Sequence, residues 1–234
     1  MIRCGLIGVC LGLLLLFCLP SQASIVVSPV VIDAYDIQLH QTITIQVSNL
    51  GEDKQSVEVA WGWFDQDEQG AVVISRDPQA QKQAQQWMKC SPTRFQIEPG
   101  ATELIRASIH NIDFTAIYPV MFITTIQDGM RAHQAVLFLL STNKPKVAIE
   151  VGEAYWEEDL LMVELRNPAT VHQGIRGMIE FFDGQDTLVS LAEIPLRRLL
   201  PGRRRSLLIS VPDQTHMLDI VSPYLPQERV RISR

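Results

Sequence analysis

Hydrophobic and polar residues alternate along two runs separated by a Pro-Gly pair in residues 95–109 (FQIEPGATELIRASI). Alternation with a period of two is typical of a strand with one buried face, and Pro99-Gly100 is typical of the turn between two such strands. The same arrangement returns in residues 196–211 (LRRLLPGRRRSLLISV) around Pro201-Gly202. The pattern therefore predicts two β-domains in tandem.

A spacing match supports this repeat. Asn49 is followed by Phe64-Asp65 at the same distances at which Asn167 is followed by Phe182-Asp183. The Pro-Gly turn comes later after Asn49 than after Asn167, so the first copy has additional residues. Residues 71–90 are the natural place for them, and they include a glutamine-rich patch (QAQKQAQQ) that is typical of a solvated loop or a short helix.

Further short runs of strand character recur along the chain, with turn residues between them and almost no amphipathic helix. Residues 24–31 are interrupted by Pro29, which predicts an edge strand that pauses or switches partner there. Residues 118–126 and 132–141 read as a hairpin that turns at Asp128-Gly129. These patterns predict an all-β protein of two tandem immunoglobulin-like β-sandwich domains, 24–144 and 145–234, which meet at Lys144-Pro145-Lys146.

The N-terminal residues 1–23 have the features of a cleavable signal peptide. Arg3 precedes an apolar stretch that is too short to span a bilayer, and Ser21-Gln22-Ala23 offers small residues for cleavage. A lipoprotein signal at Cys18 is the alternative. Removal of the signal leaves Cys90 as the sole cysteine, so we expect an exported protein without an internal disulfide.

The charge balance disfavours nucleic acid as a partner. The chain has 20 Lys and Arg against 26 Asp and Glu, a formal net charge of −6, whereas nucleic acids reward clustered positive charge. The one basic cluster, Arg197-Arg198 with Arg203-Arg204-Arg205, has no interleaved aromatic residues. We interpret it as a solvated turn and strand start beside the second Pro-Gly pair.

No motif for catalysis, cofactor binding or metal binding stands out. The five histidines are scattered without metal-ligand spacing, and we expect them at the surface or in turns. Residues 65–70 (DQDEQG) resemble the start of a calcium loop, but Arg76 stands where a carboxylate is required, so a hairpin turn is the better interpretation. Cys90 is expected to be a buried small hydrophobe. We predict no cofactor, no metal and no small-molecule substrate, and an exported hydrolase has no supporting motif.

Residues 135–140 (AVLFLL) form the most informative stretch for binding. A strand that is buried on both faces inside its own domain has this composition. A strand whose edge or face is covered by another protein through β-strand addition has it as well. The composition alone leaves both alternatives open.

Residues 87–106 (WMKCSPTRFQIEPGATELIR) resemble a stretch of the periplasmic pilus-assembly chaperones of the PapD type. Residues 25–29 and 43–49 are similar to the first two strands of that family, and residues 118–126 are similar to the strand that precedes its subunit-binding strand. The resemblance implies two immunoglobulin-like domains arranged as a boomerang. It also implies that residues 131–141 lend a strand to an incomplete pilus subunit, while basic residues in the cleft hold the carboxylate of that subunit.

The resemblance implies a set of candidate binding residues on this strand: Arg131, Ala135, Val136, Leu137, Phe138, Leu139 and Leu140. Val136, Phe138 and Leu140 form one face and Ala135, Leu137 and Leu139 the other, and the sequence does not choose between the faces. The chain departs from the family pattern at the basic residues, because Val30-Val31-Ile32 and Leu139-Leu140 stand where these are expected. Arg131 and Lys144, at the two ends of the strand, are the remaining candidates for a carboxylate anchor.

The first functional hypothesis is therefore a non-enzymatic periplasmic chaperone that shields pilus or related surface subunits by donor-strand complementation. An outer-membrane usher would be a further partner. The alternative is an immunoglobulin-like structural or adaptor protein of the cell envelope that binds a partner without handing over a subunit.

Overall fold

The computed structural model describes residues 25–127, 130–146, 148–225 and 229–233. The predicted signal peptide and the turn residues Asp128-Gly129 lie outside the described residues. Within them the chain forms eighteen β-strands and one helix. Four sheets carry these strands, two built from residues before 142 and two from residues after 149.

The first domain is a sandwich of two sheets. One sheet has the order β1-β3-β8-β6, and the other has the order β2-β11-β10-β4-β5, with β7 paired to β4 and β9 paired to β11. The strands and the helix are β1 (Ile25–Ser28), β2 (Val31–Ala34), β3 (Thr42–Asn49), β4 (Gln55–Gln66), β5 (Val72–Ser75), α1 (Pro78–Gln85), β6 (Met88–Ser91), β7 (Arg94–Ile97), β8 (Thr102–Ile109), β9 (Ala116–Ile117), β10 (Pro119–Gln127) and β11 (Met130–Ser141).

The alternating run after the first Pro-Gly turn behaves as the sequence predicts. In β8 the side chains of Ile105, Ala107 and Ile109 are fully buried between the two sheets. They pack with the buried residues Ile45 and Val47 of the neighbouring strand β3. This alternation of buried and exposed positions confirms the period-two interpretation of the sequence.

The interruption at Pro29 is a switch between sheets. β1 pairs antiparallel with β3 in the smaller sheet, whereas β2 pairs parallel with β11 in the larger one. Proline has no N–H to donate, so the chain can leave one ladder and enter the other at this position. The switch places residues 31–34 beside the end of β11.

The second domain repeats the sandwich with fewer strands. A three-stranded sheet, β12-β13-β16, packs against a four-stranded sheet, β15-β14-β17-β18. The strands are β12 (Glu150–Glu157), β13 (Leu160–Arg166), β14 (Gln173–Phe182), β15 (Leu188–Leu199), β16 (Arg204–Ser210), β17 (Met217–Val221) and β18 (Arg229–Ser233). The two separate cores confirm the predicted fold class of two tandem immunoglobulin-like β-sandwiches. The predicted boundary at residues 144 and 145 falls between β11 and β12 and stays a prediction.

The additional residues of the first copy form β5, α1 and the approach to β6. Asp77 caps the helix by accepting a hydrogen bond from the N–H of Ala80 at 2.8 Å, and Pro78 begins the helix. Ala80 and Ala84 are the buried residues of this helix. The glutamine-rich patch is therefore a short helix, one of the two forms expected from its composition.

Candidate functional site

β11 has a neighbour along its full length on only one side. It pairs with β10 from Gln127↔Met130 to Val120↔Leu137. β9 continues on the same side and pairs with Leu140 and Ser141. On the other side β2 pairs only with residues 137–140. Among the described residues, no strand pairs with residues 130–136 on that side. This stretch, which we call the open edge, is an unpaired β-strand edge next to the point where β2 ends.

Backbone hydrogen bonds define which groups face the open edge. The N–H of Leu137 donates to the carbonyl of Val30 at 2.9 Å, so Leu137 points toward β2. Successive residues of a strand point their backbone groups to opposite sides. The N–H and C=O groups of Arg131, His133 and Ala135 therefore face outward, while those of the even-numbered residues bond to β10.

The even-numbered face of β11 belongs to the core of the first domain. Val136, Phe138 and Leu140 are fully buried there, and the Phe138 ring lies 5.6 Å from that of Trp61. These three residues were one of the two candidate binding faces. Because they already fill the sandwich, a charged substitution such as Phe138→Glu would test folding rather than binding.

The odd-numbered face of β11 looks away from this core. Ala135 and Leu137 are half-buried and pack against a separate apolar cluster, which includes Val120 and Phe122 of β10. Leu139 is buried in the same cluster beside Leu200 of the second domain. The apolar surface therefore begins at the domain junction and continues up to the open edge.

The two basic candidates lie far apart along the strand. Arg131 is exposed near the start of β11. Lys144 follows its end and lies 3.4 Å from a carboxylate oxygen of Asp36. With a rise of about 3.3 Å per residue, the strand alone separates them by roughly 30 Å. The two side chains therefore cannot hold the same carboxylate group.

A charged cluster, which we call the junction cluster, joins β2 to the second domain. The carboxylate of Asp33 accepts a hydrogen bond from His172 Nε2 at 2.9 Å and another from the guanidinium of Arg198. His172 lies in the connection between β13 and β14, which agrees with the expectation of surface or turn histidines, but its side chain is completely buried. Asp33 lies opposite Leu139 in the β2–β11 pairing, so the cluster sits at the end of the apolar surface.

The junction cluster also fixes protonation states. Burial acts to raise the pKa of Asp33, but the hydrogen bond from His172 and the positive charge of Arg198 outweigh it and hold this pKa below its ordinary value. Tyr35 stacks on the His172 ring at 4.8 Å, and burial raises the pKa of its phenol to about 12. The junction therefore contains an ionised carboxylate that is already paired with Arg198 and hydrogen-bonded by His172.

The basic run after β15 has structural partners. Arg203 Nε donates to Asp65 Oδ1 at 3.1 Å, which links the second Pro-Gly turn to β4. Gln66 donates to the carbonyl of Arg198 at 2.9 Å and accepts from the N–H of Leu200 at 2.8 Å. The interpretation of this run as a merely solvated turn is therefore wrong for Arg198 and Arg203. The sequence contained no pattern that links them to the acidic residues of the first domain.

The described part of the chain gives no support for a metal site, a membrane-spanning helix or a reactive cysteine. It contains no group of His, Cys, Asp or Glu that could hold a metal ion, and none of its helices is long and apolar enough to cross a membrane. A cavity of about 540 Å³ lies between α1 and β4, and the half-buried Cys90 lines it. Burial raises the pKa of this thiol to about 11, so it stays protonated near neutral pH and is a poor nucleophile.

Comparison with family profiles and with curated protein sequences finds no match. Solved structures, in contrast, match over nearly the whole chain. The class 5 fimbriae chaperone CfaA is 9% identical at a TM-score of 0.59, covering 90% of this chain and 98% of its own. A chain of a chaperone–tip adhesin complex of CFA/I fimbriae biogenesis is 11% identical at a TM-score of 0.58, with coverages of 91% and 99%.

A third similar structure comes from Acinetobacter baumannii. It is a chain of the CsuC–CsuE chaperone–tip adhesion subunit complex of archaic chaperone-usher Csu pili, 9% identical at a TM-score of 0.52, with coverages of 90% and 97%. These likenesses extend over both sandwiches and confirm the resemblance at the level of the fold. The chain therefore has the two-domain, immunoglobulin-like fold of the PapD-type fimbrial chaperones.

Proposed function

We propose that this protein is a non-enzymatic chaperone of the periplasm that binds pilus or related surface subunits by donating β11 to them. The observation that carries the proposal is the open edge of β11, residues 130–136, beside half-buried apolar side chains. An exposed strand edge needs a cover, and an incomplete immunoglobulin-like subunit that lacks one strand would supply it. Two of the similar structures are chaperone–tip adhesin complexes, which supports a subunit as the partner.

The structure favours one face for the donated side chains. Ala135 and Leu137 of the odd-numbered face are accessible, whereas Val136, Phe138 and Leu140 are occupied in the core. We propose that Ala135 and Leu137 contact the subunit, with Arg131 at the far end of the strand. Leu139 would pack behind these two residues without contacting the subunit, because it is buried in the same apolar cluster as Leu200.

The carboxylate of a bound subunit needs an anchor other than a basic pair in the cleft. Asp33 occupies the cleft position beside Leu139 and is already bound by His172 and Arg198. A second carboxylate placed there would be repelled. Arg131 and Lys144 therefore stand as separate candidates, and each would act alone.

The proposal includes a removed signal peptide and two domains. Residues 1–23 would be removed as a signal peptide, residues 24–144 would form the subunit-binding domain, and residues 145–234 the second domain. An outer-membrane usher would then receive the complex of chaperone and subunit.

Co-expression with candidate subunits tests the proposal. The protein should raise the soluble yield of its subunit and purify with it in a one-to-one complex. His133→Pro removes an outward N–H from the open edge without removing a backbone hydrogen bond to β10, and it also removes the exposed side-chain hydrogen bond to Thr124. It should therefore abolish the complex while the fold survives. Leu137→Glu should do the same by placing a charge on the accessible apolar face.

Leu208→Pro is the matched control. Leu208 is 70% exposed on β16, which is an edge strand of the second domain. The N–H of Val211 bonds to Asp159 at 2.7 Å, so the N–H of Leu208 also points outward by alternation. A partner that binds both β11 variants as tightly as the wild type would rule out strand donation and favour the adaptor alternative.

A further inference from the structure

The larger sheet of the first domain has a second unprotected edge, at β5. β5 pairs with β4 alone and lies at the end of the sheet opposite to β2. Val72, Val73 and Ile74 are 47%, 52% and 42% exposed. β5 (VVIS) is short, which limits pairing at an edge, but it has no charge, proline or bulge, which are the other usual protections of an edge strand. Its exposed apolar side chains are therefore available to a partner.

The backbone of β5 offers an alternating set of free groups. The N–H of Phe64 donates to the carbonyl of Tyr118 at 3.0 Å, on the side of β4 away from β5. Because backbone groups alternate along a strand, those of Trp63 and Asp65 point toward β5. They lie opposite Ser75 and Val73. Val73 and Ser75 therefore bond inward to β4, whereas the N–H and C=O groups of Val72 and Ile74 point outward.

We propose that β5 pairs antiparallel with β5 of a second copy of this chain, forming a two-fold symmetric dimer. The outward N–H and C=O groups of the two copies can bond when Val72 lies opposite Ile74 of the second copy. The two-fold symmetry then also places Ile74 opposite Val72 of the second copy. The register gives four backbone hydrogen bonds. It also brings two valines and two isoleucines together on one face of the joined sheet, with Val73 beside its own copy on the other face.

Charge complementarity identifies a second copy as the occupant. The acidic turn with Asp67 and Glu68 precedes β5, and Arg76 follows it. In the proposed register Arg76 lies opposite Gly70 of the second copy, at the end of that acidic turn. Among the described residues neither Arg76 nor Glu68 has an ion-pair partner. The Arg76 guanidinium lies 3.9 Å from the centre of the buried Phe122 ring. Antiparallel pairing of identical strands brings these opposite charges together twice.

This surface is separate from the open edge of β11. Two strands, β4 and β10, lie between β5 and β11. A dimer through β5 therefore leaves β11 free, so the dimer should bind two subunits. A dimer through β11 would instead be broken by a bound subunit.

Sedimentation equilibrium over micromolar to millimolar concentrations tests the proposal. The wild-type chain should form a reversible dimer. Ile74→Pro removes an outward N–H without a loss of pairing to β4, and Val73→Lys adds a charge at the symmetry axis, so both should give monomers. Leu208→Pro, the matched change on the exposed edge of the second domain, should leave the dimer unchanged.

A charge exchange gives a second, independent readout. Arg76→Glu and Glu68→Arg should each raise the dimer dissociation constant about tenfold, because each places like charges across the interface. The double variant should restore the wild-type constant. A wild-type chain that stays monomeric, a dimer that Ile74→Pro and Val73→Lys leave intact, or a dimer that a bound subunit dissociates would each overturn the proposal.

Discussion

Two buried asparagines perform the same task in the two domains. Asn49 donates to the carbonyls of Asp53 and Ile97, and its side-chain oxygen accepts from the N–H of Gly51. Asn167 donates to Val171 and Leu199 and accepts from Ala169. Each asparagine thus binds the turn that follows it and the strand that leads to the Pro-Gly pair. The two asparagines that the spacing match identified therefore make equivalent hydrogen bonds in the two domains.

The glycine of each Pro-Gly pair completes this network. Gly100 and Gly202 have φ angles of +71° and +68°, a conformation that favours glycine. Their N–H groups donate to the backbone carbonyls of Asn49 and Asn167, each at 2.8 Å. The turn residues and the asparagines were both visible in the sequence, but the contact between them was not.

Replacement of either asparagine should destabilise its domain. Asn167→Ala would remove four hydrogen bonds, including one from the side chain of Gln173, and leave two buried carbonyl oxygens without these donors. The free energy of unfolding should therefore fall by roughly 2–4 kcal/mol. Chemical denaturation measures this change. Asn111→Ala is the control, because its side chain is exposed and accepts only one local hydrogen bond, from Asp113. A loss of less than about 0.5 kcal/mol for Asn167→Ala would contradict this role.

At the scale of elements, hydrophobic periodicity predicted the strands that have one buried face and one exposed face. β3, β8 and the β10–β11 hairpin follow their alternating runs closely. The pattern did not predict β17 (MLDIV), because it carries a charged residue inside the sheet. Asp219 of β17 is fully buried and accepts a hydrogen bond from Arg231 of β18 at 2.7 Å. An ion pair of this kind interrupts the apolar pattern without interrupting the strand.

The choice between the two faces of β11 also required the structure. The run of residues 135–140 is apolar at every position, so alternation carries no information there. The even-numbered side chains face the sandwich because β10 pairs with β11 in a register that aligns Met121 with Val136. Sequence alone identified the strand, and long-range pairing decided which side of it is accessible.

At the scale of the whole molecule, the two domains are joined by polar contacts around a small apolar cluster. Asp33, His172 and Arg198 form the charged part, and Leu200 packs on Leu139 and Phe64 of the first domain. Asp33 precedes His172 by 139 positions, and Leu139 precedes Leu200 by 61 (200 − 139). No local pattern reports such a contact, so the sequence did not predict it.

The junction cluster should make stability depend on pH in the acidic range. The pKa of Asp33 is lower in the folded chain than the value of about 3.9 for a free aspartate, so its ionised form stabilises the fold above that pH. This stabilisation is lost as the pH falls through the lower folded pKa. Asp33→Asn should therefore be less stable than the wild type at pH 7, and the difference should shrink as the pH falls below about 3.9.

Thermal unfolding from pH 2 to pH 8 measures this difference. Asp36→Asn is the matched control, because Asp36 is exposed and its ion pair with Lys144 is open to solvent. Surface ion pairs of this kind contribute little to the free energy of unfolding. Equal stability of the wild type and Asp33→Asn at pH 7 would show that the junction cluster does not hold the domains together.

The central claim is that β11 donates its open edge to a subunit strand, and amide hydrogen exchange tests it most directly. In the free protein the N–H groups of Ala132 and Gln134 should be protected by β10, while those of Arg131, His133 and Ala135 should exchange fast. In the one-to-one complex with a subunit, the three odd-numbered amides should become protected as well. A one-to-one complex in which Arg131, His133 and Ala135 exchange as fast as in the free protein would contradict the account.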